Sequence, residues 1–207
     1  MLCLNSTEAE RNRGCNLAVD LTEGPTNFAK CRGTVLGTAA VRFGEGLILP
    51  GTNGNYATMD CASRFKASAS IKVDCIPTFA ANEGVLRHFC DTTAAARYSI
   101  YRSAANDLVV YFGNTSVLTI AVATWSPYWL QDKRNVILAY GTTGANVLVL
   151  NGNSVGTSAT AWTAANPSTF YFGSDNAGQN CFAGKIRNTL TFTQTLTIQE
   201  GKDYFNS

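Results

Sequence analysis

Between Phe65 and Cys75 the chain alternates without a break. Phe65, Ala67, Ala69, Ile71, Val73 and Cys75 share one parity; Lys66, Ser68, Ser70, Lys72 and Asp74 share the other. Successive side chains of a β-strand point to opposite faces, so the pattern predicts a strand with one buried and one solvated face, stopped by Pro77. Shorter strands are predicted at Val85–Cys90, Arg97–Arg102, Leu108–Phe112, Val117–Ala123, Asn135–Tyr140, Asn146–Leu150, Thr169–Phe172 and Phe182–Phe192. In the last of these, Ile186, Leu190 and Phe192 alternate with Lys185, Arg187, Thr189 and Thr191, which reads as a core face and a polar face open to a partner. Asn151-Gly152 follows an apolar run and signals a two-residue hairpin, because both residues tolerate the positive φ of a tight turn. No helical period persists beyond two turns, and a short helix is expected around Thr7–Arg13. The expectation is one all-β domain over residues 34–207, with residues 1–33 forming an N-terminal arm or lead-in strand.

Composition narrows the function classes. A chain of 207 residues suits a single sandwich. Charged residues make up 14%, against about a quarter in an ordinary domain; Thr, Ser, Asn and Gly take up the difference at turns and outward strand positions. A surface so sparsely charged associates readily, which points to a homo-oligomer or a particle-bound subunit. Net charge is +2 with no basic run, against nucleic-acid binding. No apolar stretch reaches the ~20 residues of a membrane span, and MLCLNSTEAERNRGCN lacks the basic start and apolar core of a signal peptide. Seven cysteines, odd in number and irregular in spacing, read as buried free thiols, with a Cys75–Cys90 bridge as the alternative.

Several segments, taken in order, resemble the laminin-G-like domains. Ser68–Pro77 is similar to the family's first core strand. Asn135-Val-Ile-Leu-Ala-Tyr140 followed by Asn146-Val-Leu-Val-Leu-Asn-Gly152 resembles its paired strands and NG hairpin. Thr169-Phe-Tyr-Phe-Gly-Ser174, Phe182-Ala-Gly-Lys-Ile186 and Leu196 through Gln199-Glu200 resemble its closing segment. The resemblance runs from about Gly37 to Tyr204 and implies a concanavalin A-like jelly roll: a sandwich of two antiparallel sheets. The chain departs from the family where two tryptophans are expected, at Asp74 and Lys133, and at Thr189 and Thr191 on the closing strand. These departures mark a remote member, and no family ligand site is carried over.

Catalytic chemistry is hard to place. Glycoside hydrolases on this sandwich pair two carboxylates, and retaining hydrolysis needs them roughly 5 Å apart; no predicted strand here carries two acids at i and i+2 or i+4. The single histidine, His88, lies on a predicted strand and reads as structural. A non-enzymatic protein is expected. The absence of CxxC and of a histidine pair argues against zinc, and no cofactor is expected. The resemblance raises one ion, calcium, for which Asp107 and Asp175 are candidates by residue type; the competing reading makes both ordinary turn residues.

Binding chemistry has a better candidate. Trp125, Tyr128 and Trp129 cluster around Pro127, with Asp132, Lys133 and Arg134 just beyond. Three readings remain open: the rings plug one end of the core, anchor a protein interface, or form a platform for the apolar faces of sugars. Trp162 shares the ambiguity. Two functions follow. The chain is a structural component, such as a decoration, fibre or spike subunit on the surface of a virus or phage particle, its partners other structural subunits; this is argued by analogy. Or it is a carbohydrate-binding lectin module for adhesion.

Overall fold

The run Asn135-Val-Ile-Leu-Ala-Tyr140 is too continuously apolar for a strand with one wet face, and the structure places it mid-sheet with both faces covered. The computed structural model describes residues 15–24, 33–36, 41–61, 68–142 and 144–192. The first sheet holds β1 (Cys15–Asp20), β3 (Arg42–Gly44), β4 (Gly46–Pro50), β6 (Ser68–Pro77), β11 (Asn135–Thr142), β12 (Ala145–Leu150), β13 (Asn153–Ser158) and β15 (Ala183–Phe192). Its order is β13-β12-β11-β6-β15-β4-β3, with β1 beside the far half of β15. The second sheet holds β2 (Gly33–Leu36), β5 (Tyr56–Asp60), β7 (Arg87–Thr92), β8 (Ser99–Arg102), β9 (Leu108–Phe112), β10 (Thr115–Ile120) and β14 (Thr169–Phe172), in the order β10-β9-β8-β7-β14-β5-β2. Every pairing is antiparallel. This is the expected all-β two-sheet sandwich, with one short helix among the described residues, α1 (Val122–Trp125).

The core lies between the sheets. Ile71, Val73 and Cys75 of β6, Ile137 of β11 and Ile186 of β15 meet Ile100, Val110, Phe170 and Phe172 of the second sheet. Asn151 and Gly152, at φ 49° and 79°, make the predicted hairpin between β12 and β13. Cys61, Cys75, Cys90 and Cys181 are buried and free, so no Cys75–Cys90 bridge forms. No helix among the described residues is long and apolar enough to cross a membrane. The helix expected at Thr7–Arg13 and the closing Leu196–Glu200 segment lie outside the described residues.

Two readings of facing change. On β6 the polar parity is buried as well: Ser70, Lys72 and Asp74 are nearly inaccessible, and Asp74 pairs with Arg134 at 2.9 Å. Alternation had suggested a wet face, but their neighbours on β11 in register are Tyr140, Leu138 and Val136, all buried. On β15 a bulge between Ile186 and Asn188 inserts one residue and inverts the parity beyond it. Thr189 then lies opposite Val73 and Thr191 opposite Ile71, on the core side, and both hydroxyls are buried without a hydrogen-bond partner among the described residues. They do not form the open polar face that the alternation predicts.

Candidate functional site

The outward positions of the second sheet gather tyrosines. Tyr56 and Thr58 on β5, Tyr171 on β14, Tyr101 on β8 and Tyr111 on β9 alternate with the core residues Ala57, Met59, Phe170, Phe172, Ile100, Val110 and Phe112. All five outward side chains are half-buried. Register draws them together: Tyr171 sits opposite both Thr58 and Asp91, and Tyr101 opposite His88. His88 and Asp91 are three residues apart and would face opposite ways on a regular strand. A bulge between His88 and Cys90 brings both to the tyrosine face while Phe89 and Cys90 enter the core.

Arg97, entering β8, ties this face into one network. Its Nε and Nη2 donate to the two oxygens of Asp91 at 3.1 Å each, a bidentate pair. Nη2 also approaches His88 Nε2 at 3.3 Å. The guanidinium lies 4.8 Å from the ring centre of Tyr111 and 5.5 Å from that of Tyr101, within cation–π range. Tyr101 and Tyr111 stack at 6.1 Å, and the His88 ring meets Tyr101 edge-on at 4.8 Å. Tyr56 and Tyr171 form a second pair at 6.0 Å. The backbone of Arg97 is gripped by Asn114: the Arg97 N–H donates to Asn114 Oδ1 at 2.7 Å, and the Arg97 carbonyl accepts from the Asn114 N–H at 3.1 Å.

The electrostatics follow from burial. Asp91 is inaccessible and Arg97 one-quarter exposed, so the pair has a dry end and a wet end. Burial raises the Asp91 carboxyl above its usual value, opposed by Arg97. Burial drives His88 down to about 3, with Asp175 pulling up and Arg97 pushing further down. The imidazole is therefore neutral. With Arg97 donating to Nε2, the ring proton sits on Nδ1, which is buried and has no hydrogen-bond partner among the described residues. Two donors on Arg97 Nη1 remain uncommitted among the described residues, at the wet end of the pair.

The loop from Ser174 to Asn180 borders the tyrosines. Asp175 Oδ1 accepts from the N–H groups of Ala177 and Gln179 at 3.0 and 2.7 Å, and Oδ2 from Asn180 Nδ2 at 2.7 Å. Gly178, at φ +72°, packs so closely that an added Cβ would stand 2.4 Å from the Tyr56 ring.

The residues predicted from sequence fall elsewhere. Trp125 (0% exposed), Trp129 (8%) and Trp162 (4%) are core members, and their ring N–H groups donate to the carbonyls of Asn106, Phe79 and Thr142. A stacking platform needs open ring faces, and these are packed: Trp125 lies against Trp129 at 5.4 Å, and Trp162 against Phe112 at 5.3 Å. The segment is α1 followed by a single 3-10 turn, Ser126–Tyr128, rather than a loop. Tyr128 is exposed at 39% and Lys133 is exposed, while Arg134 pairs with Asp74. Of the two calcium candidates, Asp175 turns its oxygens to N–H donors rather than to a cation. Asp107 closes a turn with Ser103 through its backbone N–H and carbonyl. Among the described residues no three His, Cys, Asp or Glu converge on a metal position. A groove of about 500 Å³ on the other sheet, lined by Thr22, Gly44, Glu45, Ile76 and Arg187, offers no aromatic face.

Sequence reasoning missed the tyrosine face although its signal was present. Tyr101, Tyr111 and Tyr171 each occupy the outward parity of a predicted strand, where exposed aromatic rings are unusual.

No family model matches the chain, and no curated protein does. Solved structures do. The botulinum neurotoxin serotype D binding domain aligns with a TM-score of 0.66 and 11% identity over 94% of this chain and 52% of its own, so the chain spans about half that domain's length. The CBM40 of the Ruminococcus gnavus IT-sialidase, solved with α2,3-sialyllactose, aligns at 0.53 and 13% over 68% of this chain and 83% of its own. Domain 4 of an extracellular arabinanase from Geobacillus stearothermophilus, solved with arabinotriose, aligns at 0.60 and 14% over 83% and 86%. At these identities the likeness establishes the fold, a jelly-roll sandwich of the kind found in carbohydrate-binding domains.

Proposed function

We propose that this chain is a non-catalytic carbohydrate-binding module whose binding face is the outer surface of the second sheet. The observation that carries the reading is the half-buried Tyr56–Tyr171 pair on the same sheet face as a guanidinium whose Nη1 donors are uncommitted among the described residues. A sugar ring presents an apolar C–H face and a rim of hydroxyls. The first stacks on an aromatic ring, and the second needs fixed hydrogen-bonding groups beside it. Tyr171 lies in register with Asp91, the partner of Arg97, so the ring pair and the guanidinium share one face of the sheet. Of the two functions expected from sequence, the neighbours support the lectin-like one, since two of them were solved with oligosaccharides bound. They do not bear on a virion or phage surface role or on structural subunits as partners.

The test is a glycan array probed with the wild type and with Tyr171→Ala, Tyr56→Ala and Arg97→Ala. Each variant is expected to lose glycan signal while keeping its circular dichroism spectrum and melting behaviour. Wild-type signal that all three folded variants retain would move the site off this face, and a silent array would remove the reading.

A further inference from the structure

Resting on the carbohydrate reading of this face, we propose that its ligand is an uncharged sugar and that sialylated, uronic and sulfated sugars are turned away by charge. An acidic sugar needs a cation to meet its carboxylate or sulfate, because desolvating such a group without a partner is costly. Among the described residues Arg97 is the cation within this network, and Asp91 already takes it bidentately. Arg87, at the end of β7, is turned to the carbonyls of Gly51 and Cys181 and to Glu83. His88 is neutral and cannot substitute. On the negative side, Asp175 is close enough to act electrostatically on both His88 and Asp91, and the groups bonded to its oxygens are uncharged N–H donors. Among the described residues of this network the Arg97–Asp91 pair sums to zero and Asp175 leaves an excess of negative charge. What the face offers is neutral recognition: two N–H groups on Arg97 Nη1 for hydroxyl oxygens, and tyrosine rings for C–H faces.

The experiment uses an array on which neutral oligosaccharides are printed beside their sialylated, uronic or sulfated counterparts, followed by titration with lactose and α2,3-sialyllactose as a matched pair. Neutral members are expected to bind, and the added acidic group to weaken binding at least about tenfold. Neutral binding should hold steady between about 50 and about 500 mM salt, because no exposed ion pair forms with the ligand. Asp175→Asn, which removes the charge and keeps the Oδ1 acceptor of the loop but loses the bond from Asn180 Nδ2, should narrow the gap between the two classes. Preference for acidic members, with signal abolished by Tyr171→Ala, would overturn this inference and leave the carbohydrate reading standing. Silence toward both classes would overturn the carbohydrate reading itself.

Discussion

His88 should remain uncharged far below the pH at which a histidine ordinarily takes its proton. The ring is nearly inaccessible, Arg97 donates to one of its nitrogens, and the folded pKa stands at about 3 against an ordinary 6.5. The unfolded chain therefore binds a proton on this residue as pH falls through 6.5, while the folded chain does not until about pH 3. A lowered histidine pKa contributes stability that is present above 6.5 and lost on acidification. The loss levels off near pH 3, where both states are protonated. At about 1.4 kcal/mol per pH unit, the full gap is on the order of 5 kcal/mol. Between pH 7 and pH 5 the loss should be about 2 kcal/mol, within reach of urea denaturation. Asp91 works in the opposite sense: its raised folded pKa makes it a cost above that pKa, relieved as pH falls. Glu83 has burial working upward, outweighed by hydrogen bonds from Arg87 and Arg102; its lowered pKa gives stability that acid removes. The difference between wild type and His88→Gln cancels both and isolates the histidine. With one histidine in the chain, its imidazole resonances need no assignment. They should show no inflection near pH 6.5 and a nitrogen shift pattern of the Nδ1–H tautomer. A midpoint between pH 6 and 7, or identical pH slopes for wild type and His88→Gln, would refute the reasoning.

Other outcomes can be checked alongside it. Thr189→Val and Thr191→Val each replace a partnerless buried hydroxyl by a methyl of similar size, and should raise stability by about 1 kcal/mol. That is a melting-point rise of about 2–4 °C for a chain of this size, and a fall instead would mean that the hydroxyls are satisfied. Trp125→Ala should cost about 3–5 kcal/mol, as removal of a fully buried ring does. Its near-neutral replacement would contradict the core placement. Gly178→Ala should both strain the loop and displace Tyr56, lowering melting temperature and glycan signal together. Thiol labelling of the native protein, followed by peptide mass mapping, should find Cys61, Cys75, Cys90 and Cys181 slow to react until denaturant is added, and never disulfide-linked.

The sandwich was legible because its strands carry period-two patterns and a strong hairpin signal at Asn151-Gly152, both of which depend on neighbours close in sequence. Facing was less legible, and for a physical reason. At β15 and β7 a single inserted residue reverses parity, and a bulge is set by cross-strand pairing that no local pattern records. Thr189 and His88 were therefore placed on the wrong side or given no partner. The site was missed through aromatic weight. Three tryptophans drew attention to Trp125, Trp129 and Trp162, yet large rings of that size most often fill cores. The tyrosines that face outward were spread over four strands far apart in the chain, and assemble through register.

Asn114 grips residue 97 by its own backbone and by its side chain at once, and donates in addition to the Ala95 carbonyl. The turn that starts β10 thereby fixes the backbone of the arginine that enters β8, and the bidentate contact with Asp91 fixes its guanidinium, before any ligand is present. A guanidinium on a free arm would surrender its rotameric freedom on capture, at about 0.5–1.5 kcal/mol for a side chain of this type. Here the fold has already met that loss, so the entropy of association falls mainly on the ligand's own bonds. On the proposed carbohydrate reading, stiff, short oligosaccharides should then be held more tightly per contact than flexible ones, and the face should act as a preformed mould with little rearrangement of its backbone.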